Sequence, residues 1–223
     1  MIEAIVFDFD GLITDTEGPV YEAWASLYRD LGQELTLTRW SAVVGHGPGF
    51  FDPFGELELA VGHPLDRERL QRERRARETV LVNEKPALPG VQAWIAAAQA
   101  RGLRLAIASS SARRWVEDHL ARLGISAFTC ISAGDSVERT KPAPDLYLAA
   151  CRCLRVPPSR ALAIEDSGVG LRAAKSAGLR CIAVPGPLTA GHDFGLADLR
   201  LTSLAERSLD CVLAELDGAP ELR

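Results

Sequence analysis

Ile5-Val6-Phe7-Asp8-Phe9-Asp10-Gly11 is the stretch whose reading decides the fold. An Ile/Val run closed by a glycine reads as a buried strand. Side chains alternate along a strand, so Asp8 and Asp10 leave it on the same side. Two carboxylates converging at the end of a core strand repel each other, and they persist there when a cation or a reacting group lies between them. Asp15 and Glu17 follow and make the neighbourhood strongly acidic. Two plainer readings compete. Acidic residues beside a glycine also make turns. A calcium loop would set Asp8 third, Asp10 and Gly11 fifth and sixth, and Glu17 twelfth, but it puts Val6 first and needs a helix where the residues read as strand. On this segment alone, turn and active site weigh equally.

The 223 residues can bury a sizeable core, as one domain with a large insertion or as two small domains. The formal net charge of -5 excludes a general attraction to nucleic acid or anionic membranes. No apolar run is long enough to span a bilayer, and the N-terminus lacks a secretory-signal pattern, so a cytoplasmic protein is expected. Five cysteines at scattered positions, none with zinc-ligand spacing, are expected to be reduced core residues. The four histidines are far apart and form no ligand motif.

Working outward, residues 2–8 form the first strand, and the pattern then turns helical from about 17 to 83. Tyr21, Trp24, Ala25, Leu27, Tyr28 and Leu31 recur at helical spacing up to Gly32. Further helices are expected over 35–44, 54–61 and 66–82, with the glycine-rich stretch Gly45 to Gly49 as a breaker. The Arg/Glu run of the last reads as a solvated face with i,i+4 pairing. After Lys85 to Gly90, strands are expected at 103–108, 128–132, 161–164 and 180–184, with a short edge strand at 199–201. Helices alternate with them over 91–100, 112–123, 144–154 and 168–177, and a last one runs over about 203–216. This rhythm predicts an α/β fold, a doubly wound parallel sheet whose ligands bind beyond the carboxyl ends of the strands. The helical insertion would stand over that edge as a cap.

Each core strand ends on something polar. Asp8 and Asp10 follow the first, Ser109, Ser110 and Ser111 another, and Glu165-Asp166-Ser167-Gly168 a third, while Thr140-Lys141-Pro142 lies in a loop. Singly, each has a plain structural role: an N-cap, a surface lysine, a turn. Jointly, at one edge of one sheet, they suit phosphoryl transfer. Carboxylates hold a hard cation such as Mg2+, a carboxylate can take a phosphoryl group and pass it to water, and Lys and hydroxyl donors compensate the phosphate charge.

The chain at this point resembles the haloacid dehalogenase-like hydrolase superfamily, in the subgroup of sugar-phosphate phosphatases and β-phosphoglucomutase. Asp8 to Glu17 resembles the first motif, Ser109 the second, Lys141-Pro142-Ala143-Pro144-Asp145 the third, and Glu165 to Gly170 the fourth. The resemblance covers essentially the whole chain and is specific for the superfamily, weakly so for substrate. It implies a Rossmann-like core at 1–16 and 84–223 with a helical cap at 17–83. It implies Asp8 as nucleophile and Mg2+ ligand, and Asp10 as general acid and base whose carbonyl also binds Mg2+. Asp166 would be a side-chain ligand, Glu165 would lie near the metal, and Ser109 and Lys141 would bind the phosphoryl group. Thr16, Ser110 and Ser111, with Gly45 and His46 of the cap, are the substrate-side candidates. Asp10 sets the chain apart from the dehalogenases, which lack an acid there.

The mutase carries a cap-side histidine where this chain has Val20, and a basic clamp where it has Val44 to Phe50, which holds no Lys or Arg. Hydrolysis of a small phosphate monoester, a sugar or polyol phosphate, is therefore expected, with Mg2+ as cofactor. A hexose-phosphate mutase and a non-catalytic binding protein are the alternatives. The expected partner is a small phosphorylated metabolite, with no nucleic acid, no membrane and a monomeric chain.

Overall fold

In the computed structural model, residues 1–42 and 51–218 are described. The expectations for Gly45, His46 and the rest of the stretch from Val44 to Phe50 lie outside the described residues. Six strands, β1 (Ala4–Phe7), β2 (Arg104–Ala108), β3 (Cys130–Ser132), β4 (Ala161–Glu165), β5 (Arg180–Ala183) and β6 (Leu199–Arg200), form one sheet in the order β3-β2-β1-β4-β5-β6. Every neighbouring pair is parallel. β1 lies at the centre, with Val6 in register with Ala106 on one side and Ala163 on the other. The strand order reverses direction between β1 and β4, which opens a crevice beyond their carboxyl ends.

Alternation along β1 splits the core into two layers. Ile5 and Phe7 pack with Leu105, Ile107, Leu162 and Ile164 under Trp94 and Ile95 of α5 (Val91–Ala100), Val116 of α6 (Arg113–Leu123) and Val212 of α9 (Leu209–Leu216). Ala4 and Val6 face the other way, among Ala106, Ala108, Ala161 and Ala163. These small side chains let α7 (Asp145–Leu154) and α8 (Gly168–Ser176) approach closely. Both faces of a parallel sheet must be covered, so every β1 residue is buried.

The insertion after β1 forms the helical cap, with α1 (Glu17–Asp30), α2 (Leu37–Ser41), α3 (Pro53–Val61) and α4 (Arg67–Asn83). It has its own apolar cluster of Trp24, Leu27, Tyr28, Leu35, Trp40, Leu57 and Leu70. On α4 the charge run pairs along the helix, as with Arg69 to Glu73 at 2.8 Å. Arg74 departs from the solvated-face expectation: it is buried, with its guanidinium 5.2 Å from the Trp24 ring and an ion pair to Glu78.

Two further expectations are corrected. The last helix starts at Leu209, not near 203, because Ser208 caps it by accepting from the Cys211 N–H while Glu206 ties the preceding residues into a turn through Thr202. The cysteines are not all reduced: Cys130 on β3 and Cys153 on α7 form a disulfide, which the long sequence separation hid. Among the described residues, no helix is long and apolar enough to cross a membrane.

Candidate active site

The three strands that end on polar residues are neighbours. β2 delivers Ser109, β1 delivers Asp8 and Asp10, and β4 delivers Glu165 and Asp166. Parallel pairing puts all their carboxyl ends at one edge. Lys141 arrives from the loop before α7.

Asp8 and Lys141 are both buried and are 2.5 Å apart. Lys141 Nζ also lies 2.7 Å from Glu165 Oε1, and Glu165 is fully buried. The Tyr147 hydroxyl donates to the same Glu165 oxygen, and Ser167 Oγ donates to the other at 3.3 Å. Glu165 thus spends its oxygens on holding Lys141 and the start of α8. Asp166 lines the cleft beside them.

Carboxylate oxygens of Asp8, Glu165 and Asp166 all lie within 4.8 Å of one another. Three buried carboxylates face one ammonium, so the pocket carries excess negative charge. Burial pushes the Asp8 carboxyl up to about 7, against the pull of Lys141 and with help from Glu165 and Asp10. Burial, then Asp8, Glu165 and Glu17, push Asp166 well above the carboxylate range. Burial alone would lower the Lys141 ammonium, but Asp8 and Glu165 outweigh it and hold it above its usual value. An all-oxygen donor set of this charge fits a hard divalent cation such as Mg2+ and no soft metal. Gly11 shapes the same place: its φ is +77°, and a Cβ there would lie 2.4 Å from Asp166 Oδ2.

Asp10 turns its carboxylate away from that cluster. Oδ1 accepts from Thr16 Oγ1 at 2.9 Å and from Trp115 Nε1 at 2.9 Å. Oδ2 accepts from Ser109 Oγ at 3.1 Å and from Ser111 Oγ at 2.7 Å. The predicted Thr16, Ser109 and Ser111 are therefore brought onto Asp10. Ser110 is not; it is exposed, because the strand and turn alternate its side chain outward.

Three residues of the site escaped the sequence reading. Trp115 and Tyr147 sit on helices, where their apolar bodies read as core. Glu17 closes the stretch that resembles the first motif, with no role at the site assigned to it. It faces the cluster, and burial together with Asp10, Asp8 and Asp15 pushes its carboxyl up to about 8. Beside it, a cleft of about 420 Å³ runs from Gly11, Glu17 and Asp166 to Leu88, Pro187 and Leu204.

The family profile of haloacid dehalogenase-like hydrolases matches residues 2–178. The chain is 42% identical over 219 residues to the putative phosphatase YhcW of Bacillus subtilis strain 168, covering 98% of this chain and 99% of that one. A crystal structure of CbbY from Rhodobacter sphaeroides with xylulose-1,5-bisphosphate superposes with a TM-score of 0.75 at 36% identity, over 94% of this chain and 98% of that one. A putative β-phosphoglucomutase from Thermotoga maritima superposes with a TM-score of 0.78 at 25% identity, over 98% of this chain and all of the other (100%). With its four motifs gathered at one sheet edge under a helical cap, the chain belongs to the haloacid dehalogenase-like hydrolases.

Proposed function

We propose that this protein is a Mg2+-dependent phosphatase of small phosphate monoesters, sugar or polyol phosphates, working through a phosphorylated Asp8. The observation that carries this reading is the buried Asp8 carboxylate held against Lys141 beside Asp166, with a second acid, Asp10, two residues on. Asp8 attacks phosphorus, an O–P bond forms, and the ester oxygen leaves with a proton supplied by Asp10. Water then loses a proton to Asp10 and displaces the phosphoryl group, which frees Asp8 and inorganic phosphate. Lys141 and Ser109 bind the phosphoryl oxygens, and Thr16 and Ser111 line the substrate side. Bound Mg2+ on Asp8, Asp166 and the Asp10 carbonyl would neutralise phosphate charge, with Glu165 behind them.

The substrate class rests on the relatives named above, one of them crystallised with a ketose bisphosphate. The core/cap boundaries at residues 16 and 84 are supported by the two chain crossings. Asp15 pairs with Lys85 at 2.8 Å, and Thr14 donates to the Pro86 carbonyl at 2.9 Å. A screen of sugar, polyol and nucleotide phosphates with Mg2+, read as released phosphate, tests the reading. Turnover of none of the sugar or polyol esters by metal-loaded protein sinks it.

The mutase reading is favoured by the superposition on a putative β-phosphoglucomutase. Against it stand Val20, which offers no hydrogen bond, and a cap loop without Lys or Arg.

A further inference from the structure

Among the described residues, Asp10 is held by four donors, two on each oxygen. Three of them are hydroxyls, from Thr16, Ser109 and Ser111. A hydroxyl can rotate and become an acceptor, so none of these three dictates where the carboxylate must stay. The fourth is the Trp115 indole, which only donates. Its ring is also fixed. It meets His119 edge-on at 4.2 Å between centroids, and His119 stacks on Phe9 at 6.3 Å with the planes 4° apart. Phe9 stands between Asp8 and Asp10, so the indole is braced against the segment just beyond β1 that carries both acids. His119 is buried, its Nε2 has no partner among the described residues, and burial lowers its pKa.

We propose that Trp115 is a positioning residue for the reaction: its indole N–H fixes the direction of the Asp10 carboxylate through Oδ1 and leaves Oδ2 among groups that can exchange partners. Nothing about a tryptophan three positions into a helix requires this role. It follows from the 2.9 Å contact and from the brace behind it. The proposal rests on Asp10 being the acid and base of the proposed phosphatase. Phenylalanine at this position keeps the ring stack and removes only the donor.

The test uses the full chain with Mg2+ and p-nitrophenyl phosphate. Trp115→Phe is expected to lower kcat about tenfold with KM within about twofold, as a misdirected group costs rate and not binding. The protein has four tryptophans, and its indole N–H resonances report on the contact without turnover. Asp10→Asn is expected to shift one of them, the one missing from Trp115→Phe. Wild-type kcat in a folded Trp115→Phe, or a loss confined to KM, overturns the proposal. So does an indole spectrum indifferent to Asp10→Asn, which decides the matter even if Trp115→Phe does not fold. An active Asp10→Asn sinks the acid/base reading, and the role of Trp115 with it. An inactive Asp10→Asn beside a fully active Trp115→Phe sinks the role of Trp115 alone.

Discussion

Asp8 sits where its charge is least welcome, and that is what makes it useful. Buried beside Lys141 and two further carboxylates, it is poorly hydrated. Asp8→Asn keeps the shape and replaces the carboxylate proposed as nucleophile by an amide. Turnover of p-nitrophenyl phosphate should fall to background while the circular dichroism spectrum stays as in the wild type. A mutant hydrolysing near the native rate contradicts the role assigned to Asp8. Glu17 makes a prediction about stability. Its carboxyl is raised from 4.5 to about 8, so the folded chain holds a proton that the unfolded chain has lost. The metal-free protein therefore loses stability through this group as pH rises between those two values, and keeps it below them. Glu17→Gln should melt higher than wild type at about pH 8.5, and the gap should shrink toward about pH 5. A gap equal at both ends of the range, or reversed, shows that Glu17 is not the titrating group. With Trp115 on Oδ1, Asp10 is held on the side away from the carboxylates of Asp8, Glu165 and Asp166.

Among the elements, the entry to α5, just after the chain returns from the cap, is a place where backbone geometry leaves no room. Gly90 precedes α5 with φ at +87°, and a Cβ there would lie 2.2 Å from the Leu204 carbonyl carbon. Neither the dihedral nor the space suits a side chain. Gly90→Ala should cost about 3 kcal/mol or more, read as a lower midpoint in urea, with the slope unchanged. A midpoint within error of wild type would mean the loop before α9 moves aside freely. Arg122 of α6 adds to this corner by donating to the carbonyls of Asn83 and Lys85, where α4 hands the chain back to the core. The second crossing is thus tied to a core helix as well as to the first crossing. The helices expected from apolar spacing are largely where that spacing puts them, and α5 spans Val91–Ala100 as read. The last helix is shorter than its apolar spacing predicts, because Leu204 continues that spacing while the turn through Thr202 and Glu206 is a side-chain-to-backbone contact that spacing does not record.

At the scale of the molecule, cap and core meet over an edge where negative charge is in excess. A divalent cation that binds there stabilises the folded state by mass action. Mg2+ should raise the melting temperature, EDTA should reverse the rise and remove turnover, and Asp166→Asn should flatten the response. A melting temperature and rate indifferent to exhaustive chelation would remove the metal from the mechanism. The amino-acid sequence by itself determined the alternation of strands and helices, the inserted helical stretch, the three polar strand ends and the Lys141 loop. Each is encoded locally, in apolar period, in turn residues and in short motifs. It could not say that β2, β1 and β4 lie side by side, because strand order depends on pairings between residues a hundred and more positions apart. That order is what turns Asp8, Ser109, Lys141 and Asp166 from four separate turn or cap residues into one site. The Cys130–Cys153 disulfide, the burial of Arg74 and the Trp115 contact with Asp10 belong to the same class. They are decided by which surfaces meet when β3 packs on α7, α4 on α1 and α6 on the end of β1, and a side chain's partner across such an interface leaves no periodic trace in the chain.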